Sequence, residues 1–463
     1  MASPDPHVEE VKAFLARARS AVSEGDVAAG TGIDVGSVEA ALYALMRTHR
    51  SSLAVRDDGT LVYDFGRELV PLGRPSLAER VATLGRWLWK GFSFVYKTSL
   101  AVVLVGYAVA FLVLIVAAAI AASSASEDDG PATGAFELVG AVFRAIFEFM
   151  THTALIYGET DRYGYPHAAY EPKRPVLAKP AEREEGKSFV ASVYDFVLGP
   201  TRVEPHPLAQ QQEVAAFVRQ NGGVLTVRDV QALSGMGRKE AEQFFARFVA
   251  EQDGVAEISE DGALYATFEE LLRSKTKAHD APVIFYWDEY EPPFEVTGNT
   301  TGKNLLIGFL ALFNLGGAAA VLNGLGGLGA AGLWLGAVPA VIFSLFFLIP
   351  LVRAALVWRK NRQQHHNNIR KRLFRVILGA KDDKLTASQV VERANQRAST
   401  EERLRIADVD ELLGETLSDL GSDQEVDAQG ELATDLTQLR IEAEAVEEHA
   451  LTERQAKVIY RTD

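Results

Sequence analysis

The sequence contains no cysteine, and this absence excludes several kinds of chemistry. Disulfide bonds, thiolate metal sites, cysteine-ligated iron–sulfur clusters and a cysteine nucleophile all need that side chain. The 463 residues also lack the motifs of a zinc metalloprotease, a Walker phosphate-binding loop and a serine nucleophile elbow. We therefore expect a protein that is not an enzyme, with no catalytic residue, no cofactor and no metal site.

Positive charge is scarce in this chain relative to negative charge. There are 47 lysines and arginines against 62 aspartates and glutamates, a formal net charge of −15. Such a balance argues against a large nucleic-acid footprint. The N-terminal stretch also lacks the basic start and apolar run of a signal peptide. We therefore expect the first membrane segment to direct insertion and the N-terminal region to stay in the cytoplasm.

Long apolar runs are concentrated in two blocks. Ser99 to Ala122 has no charge, and at about 1.5 Å per residue it can cross the ~30 Å hydrocarbon layer as a helix. The second block consists of two runs, Asn304 to Leu322 and Leu333 to Trp358. Because only a short glycine-rich turn joins them, we expect a helical hairpin. Arg353 lies near the end of the last helix, where it can reach the interface.

A fourth segment, Ala135 to Tyr157, is ambiguous because it carries Arg144 and Glu148. Residues four apart share a helix face, so the two charges can neutralise each other inside a bundle. The alternative is an amphipathic helix lying in the interface. Lysines and arginines flank the outer ends of both blocks, which places both termini in the cytoplasm by the positive-inside rule. This favours four crossings in two hairpins.

Glycines cluster around the second hairpin. The stretch Gly324 to Gly329 fits the G-x-G-x-x-G pattern, but it lies between two membrane helices rather than after a strand, so we interpret it as a tight turn. Gly332 and Gly336 form a GxxxG pattern at the start of the last helix. They predict close helix packing, either within the hairpin or between copies of the chain.

Three soluble segments align around a glycine turn. Each has apolar residues at fixed offsets from that glycine, which is typical of a β-hairpin. The aligned hairpins are Val55 to Phe65, Ile258 to Phe268 and Val426 to Leu436. The first two copies also match upstream without a gap at an offset of 203, so that Asp26-Val27 corresponds to Asp229-Val230. The third copy is looser.

Helical spacing precedes each hairpin. Val38, Ala41, Leu42 and Leu45 have the spacing of a buried helical stripe, as have their counterparts in the other copies. The order of helix, short helix, longer helix and hairpin resembles the winged-helix fold. The resemblance covers about 8–69, 207–272 and 369–439. It implies small α+β modules that bind DNA or proteins.

The predicted fold is a membrane α-helical protein, with about four transmembrane helices in two hairpins, plus three small α+β winged-helix-like cytoplasmic modules. The predicted segments are module 1 (1–75), the first hairpin (86–157), a linker (158–206), module 2 (207–277), a linker (278–303), the second hairpin (304–358), a basic juxtamembrane helix with module 3 (359–439), and a charged C-terminal tail (440–463).

A second resemblance is weaker. Ser192 to Gly199 with the following Val214 to Leu225 looks like multi-pass membrane proteins of bacteria, cyanobacteria and plastids, some labelled for iron–sulfur biosynthesis. A chain without cysteine does not support that label.

Charge decides what the modules are expected to bind. Residues 23–69 have a net charge of −4, residues 213–272 of −6 and residues 384–439 of −8, which a phosphate backbone would repel. Module 2 is the best DNA candidate, through Arg228, Arg238 and Lys239. We favour a scaffold or adaptor in the cell inner membrane that binds a protein partner or self-associates. The first alternative is a membrane-tethered DNA-binding transcription regulator, and the second a transport or channel component that uses Arg144 and Glu148.

Overall fold

The computed structural model describes residues 6–56, 59–72, 77–123, 188–200, 206–273, 280–289, 293–324, 329–396, 403–422, 424–426 and 432–456. Over these residues the protein is mostly helical, with three small antiparallel sheets.

The N-terminal module contains three helices and a three-stranded sheet. Its elements are α1 (Pro6–Ala18), β1 (Val22–Ser23), α2 (Glu24–Thr31), α3 (Val35–Thr48), β2 (Ser52–Val55) and β3 (Leu61–Asp64). The sheet order is β1-β3-β2, which leaves β2 at an edge. Ser23 and Asp26 cap α2 reciprocally, and Gly32 ends that helix at a φ of 75°. The expected stripe on α3 is buried.

The next helix, α4 (Leu77–Ser123), is 47 residues long, and its part Thr98–Ala121 is long and apolar enough to cross a membrane. The segment Ala135 to Tyr157, with Arg144 and Glu148, lies outside the described residues. A short apolar helix, α5 (Phe189–Leu198), follows within the stretch that the sequence indicated as a linker. Its apolar side chains pack against α4 and the later apolar helices.

The second module has the same element order and sheet order as the first. It consists of α6 (Ala209–Gln220), β4 (Val224–Thr226), α7 (Val227–Ser234), α8 (Arg238–Glu251), β5 (Val255–Ile258) and β6 (Leu264–Thr267), followed by the short α9 (Glu269–Leu272). Helices α3 and α8 are both 14 residues long, and they begin 203 positions apart, at residues 35 and 238. The sheet order is β4-β6-β5.

Two further helices are apolar and long enough to cross a membrane. They are α10 (Thr301–Gly324) and α11 (Val338–Leu378), the latter preceded by a helical turn, Ala330–Gly332, and a π-helical turn, Leu333–Ala337. The described residues thus hold three candidate spans, and the fourth expected span falls outside them. The sequence predicts a basic juxtamembrane helix and module 3 over 359–439. In the structure, α11 continues unbroken through the basic stretch to Leu378, so the last apolar helix is also the first helix of module 3.

Module 3 is completed by β7 (Lys384–Thr386), α12 (Ala387–Asn395), α13 (Ile406–Leu420), β8 (Gln424–Val426) and β9 (Leu432–Asp435). Its sheet order is β7-β9-β8, as in the other two modules. The last helix, α14 (Thr437–Ala456), covers much of the expected charged tail. Val409, Leu413 and Leu417 on α13 are buried, as their spacing predicted.

The modules do not stand apart. Modules 1 and 2 share one continuous hydrophobic core, and the core of module 3 includes Ala232 from α7 of module 2. The apolar helices, together with α5, form a separate core. The chain therefore buries apolar surface between its modules as well as inside them.

Candidate interaction site at the module junctions and strand edges

Arg219 holds the junction between modules 1 and 2. Its side chain is 1% exposed, with Nη2 3.0 Å from Oδ1 of Asp26 and Nη1 2.8 Å from Oδ1 of Asp280. Asp26 lies on α2 of module 1, whereas Asp280 lies in the segment that follows module 2. A buried cation needs such paired carboxylates because desolvation is costly. One guanidinium therefore joins three separate parts of the chain.

Close backbone approach completes this junction. Nε2 of Gln212 donates to the carbonyl oxygen of Thr31 at 2.8 Å, and Nε2 of Gln252 donates to that of Ile33 at 3.2 Å. A Cβ at Gly25 would lie 2.5 Å from the carbonyl oxygen of Glu270. A side chain at that position would force the two modules apart, so glycine is required there for packing.

Glu442 holds the junction between modules 2 and 3. It accepts from Nη1 and Nη2 of Arg238 at 3.0 and 2.6 Å, and its side chain is 1% exposed. The backbone N–H of Arg228 donates to the same carboxylate at 3.1 Å, and the Arg228 guanidinium donates to the carbonyl oxygen of Leu378. Two of the three cations considered for DNA contact are thus bound within the chain. Lys239 is exposed at the start of α8.

The electrostatics of Arg238 follow from this pairing. Partial burial lowers the pKa of the guanidinium, but the hydrogen bonds and charges of Glu442 and Glu242 outweigh that effect. The pKa of Arg238 is therefore above its ordinary value. It therefore stays charged at physiological pH, and in the structure it is paired with Glu442 across the junction.

The two junctions use equivalent elements. Helix α2 of module 1 packs against α6 and α9 of module 2, and α7 of module 2 packs against α11 and α14 of module 3. Each module thus presents its second helix to the first helix of the next module. The equivalent helix of module 3, α12, has Ser388, Gln389 and Glu392 exposed. Polar residues on the outer face of a last repeat are typical of the end of an array.

The outer strand of the sheet in module 1, and that in module 2, is accessible at the surface. All four residues of β5 are exposed, and so are all four of β2. Val255 and Ile258 are 58% and 72% exposed, and the adjoining Glu257, Glu260 and Asp261 are also exposed. Among the described residues, no strand pairs with the outer edge of β5. The outer edge of a sheet presents backbone N–H and C=O groups to which another strand can pair, and here that edge carries apolar side chains beside an acidic turn.

The apolar helices are held by glycine contacts and by a few polar groups. A Cβ at Gly336 would lie 2.8 Å from Cδ2 of Leu322, which shows that α10 approaches this turn closely. The neighbouring Gly332 is half-buried. Nδ2 of Asn314 donates to the carbonyl oxygen of Leu104 at 2.8 Å, a bond between α10 and α4.

Arg353 lies near the end of the apolar part of α11, where the sequence predicts that it can reach the membrane interface. Its guanidinium donates to the carbonyl oxygens of Asp195, Val197 and, at 2.7 Å, Val296. The first two are carbonyls at the C-terminal end of α5, where a cation offsets the negative end of the helix dipole. Arg353 therefore anchors α5 against α11.

Sequence reasoning found the cations of module 2 but missed Arg219, Asp26 and Glu442 as junction residues. The available signals were weak: one charged position within the apolar pattern of α6, and small residues on α2.

In the described part of the chain, no group of three or more His, Asp or Glu side chains is placed to hold a metal ion. Comparison of the whole chain with protein-family models, curated proteins and solved structures finds no match.

Proposed function

We propose that this chain is a non-enzymatic integral protein of the cell inner membrane, with both termini in the cytoplasm. It acts as a scaffold or adaptor, and its winged-helix-like modules bind a protein partner or a second copy of the chain. The observation that carries this proposal is the exposed edge strand β5, with Val255 and Ile258 at the surface beside acidic side chains.

Topology supports the winged-helix interpretation. Each module has a helix, a strand, two helices and a two-stranded hairpin, with the first strand beside the third. In the hairpins of modules 1 and 2, all four residues of the outer strand are exposed, and no further strand among the described residues pairs with it. Such edges bind an added strand through main-chain hydrogen bonds, with side-chain contacts adding specificity. The acidic tip of β5 favours a partner with basic side chains.

The charges of module 2 favour a protein partner over DNA. Arg238 and Arg228 are held by Glu442 and by the carbonyl oxygen of Leu378, so neither is free for a phosphate. Lys239 alone can neutralise only one phosphate of a duplex. Because the electrostatic part of DNA affinity grows with the number of phosphates neutralised, this lysine contributes little.

Three helices with long apolar stretches support the membrane placement. Cations follow the apolar part of α11 directly at Arg359, Lys360 and Arg362, which is typical of a cytoplasmic flank.

The proposal is tested by affinity purification of the tagged full chain from its native membranes after in-cell cross-linking. A Val255→Lys/Ile258→Lys variant should lose a specific cross-linked protein, or the cross-linked dimer, by about tenfold or more, because two lysines at an edge block strand addition. The matched control, Val70→Lys/Leu72→Lys, places the same charges at two exposed apolar positions in module 1 rather than on β5. Equal cross-linked products from wild type and the β5 variant would refute the proposal.

A DNA titration separates the main alternative. The full chain in nanodiscs should not bind a mixed-sequence duplex more than empty nanodiscs do, at any salt concentration. Salt-sensitive binding that Lys239→Ala weakens would instead identify a membrane-tethered DNA-binding protein.

A further inference from the structure

The cations along α11 fall into two groups. The group toward its C-terminal end is paired within the chain. Arg370 lies 2.8 Å from Asp419, Lys371 lies 3.4 Å from Glu289, and Arg375 lies 3.5 Å from Asp288. These residues connect α11 to module 3 and to the segment before α10, so their charges have a structural role.

The group directly after the apolar stretch is different. Arg359 and Arg362 are exposed, and no carboxylate among the described residues lies within ion-pair distance of either. With Trp358, Gln363 and His366 they line an open pocket of about 460 Å³. Residues spaced by three and four share one helix face, so these side chains converge on one surface.

The position of this surface indicates its ligand. Trp358 is 65% exposed and ends the apolar stretch, where an indole favours the membrane–water interface. Leu351, seven residues earlier and 69% exposed, continues the same face toward the hydrocarbon. Guanidinium groups bind phosphate oxygens in pairs of parallel hydrogen bonds. A ligand that fits has a phosphate at headgroup depth and an acyl chain beside it.

We propose that Trp358, Arg359, Arg362 and His366 form a binding site for the phosphate headgroup of an anionic phospholipid. Charge complementarity carries the assignment, because the site is cationic on a chain that is otherwise acidic. Lys360 does not belong to it, since its ammonium lies 5.2 Å from the ring centroid of Phe294 on another face. The inference rests on the membrane placement in the proposed function, and its test separates the two.

The full chain is reconstituted into vesicles of phosphatidylcholine with a minority of phosphatidylglycerol. Tryptophan quenching is then compared between brominated phosphatidylglycerol and brominated phosphatidylcholine, and the contribution of Trp358 is isolated with a Trp358→Phe variant. The wild type should prefer phosphatidylglycerol, and Arg359→Gln/Arg362→Gln should lower that preference by about fivefold per cation removed. Arg403→Gln/Arg405→Gln, two exposed cations before α13, is the matched control and should retain it.

Three outcomes overturn parts of this picture. A chain that does not float with the vesicles contradicts the membrane placement itself. A chain that floats but binds both lipids equally, or keeps its preference in the Arg359/Arg362 variant, refutes the lipid site alone. Loss of the preference on adding millimolar inorganic phosphate, but not chloride at the same ionic strength, would show that the site takes free phosphate and is not selective for a lipid headgroup.

Discussion

Arg238 and Glu442 are 204 residues apart in the chain and form a two-pronged ion pair across the junction between modules 2 and 3. The planar guanidinium meets the carboxylate through two parallel hydrogen bonds, which fixes orientation as well as distance. Arg228 adds a backbone hydrogen bond to the same carboxylate. The first residue of α8 therefore determines where the C-terminal helix α14 lies.

Replacing Glu442 with glutamine should loosen this junction. The variant keeps the shape of the side chain but removes the charge that balances Arg238. Breaking a buried pair costs about 3–5 kcal/mol, and because the Arg238 side chain is partly exposed we expect about 2 kcal/mol. Thermal unfolding of the full chain in detergent measures the change. Glu444→Gln, two residues along α14 in a half-exposed pair with Arg440, should shift stability by only about 0.5 kcal/mol. Similar effects of both variants would contradict the structural role of Glu442.

Arg219→Met should destabilise the junction of modules 1 and 2 more strongly. The substitution removes the cation between Asp26 and Asp280 while retaining much of the apolar stem, and we expect a loss of about 3–5 kcal/mol. Asp26→Asn on the Arg219→Met background should then cost less than it does alone, because the two residues interact directly. Arg17→Met, at an exposed position on α1, is the control. Additive effects of Arg219 and Asp26 would argue against the bridge.

The sequence was informative where the physical signal is local. Uninterrupted apolar runs predicted the helices that contain residues 99–122 and 304–322, and a spacing of three and four predicted the buried stripe of α3. Arg219 and Asp26 are 193 positions apart, and no local pattern connects them. For the same reason the insertion of α5 among the apolar helices was missed, since its ten residues are too few to resemble a span.

Glu24 should make stability depend on pH. Burial raises the pKa of its carboxyl, and the negative charges of Glu39 and Glu270 raise it further. The hydroxyl of Tyr63, which donates a hydrogen bond to the carboxylate at 2.6 Å, lowers the pKa, but the net change is upward. Just above the ordinary pKa of glutamate, the folded chain therefore binds more protons than the unfolded chain. The stability that this group contributes therefore falls as the pH rises from the ordinary pKa of glutamate to the raised pKa. Above the raised pKa its contribution is constant.

The expected measurement is a series of unfolding temperatures from about pH 4 to pH 7. Glu24→Gln cannot ionise, so its curve should lack the decline that Glu24 adds to the wild type. Glu9→Gln, the same substitution at an exposed position on α1, should follow the wild-type curve. Tyr63→Phe removes the hydrogen bond that lowers the pKa of Glu24, so the decline should extend to higher pH. Identical pH dependence of Glu24→Gln and wild type would contradict the assignment.

Adjacent glycines on α10 offer a sharp test of the apolar bundle. A Cβ at Gly317 would lie 2.6 Å from Cγ of Phe111 on α4, a ring that is buried, whereas a Cβ at Gly316 would meet nothing within 4 Å. Gly317→Ala should therefore destabilise the folded chain by about 1–3 kcal/mol through overpacking. Gly316→Ala should be neutral or slightly stabilising, because alanine favours helix more than glycine does.

Unfolding of the full chain in detergent compares the two variants, which have identical composition. Phe111→Leu on the Gly317→Ala background should recover part of the loss, since a smaller side chain leaves room for the added methyl group. That recovery can occur only if α4 and α10 touch at this position, 206 residues apart in sequence. Equal stability of Gly316→Ala and Gly317→Ala, with no recovery by Phe111→Leu, would mean that the two helices do not pack face to face here.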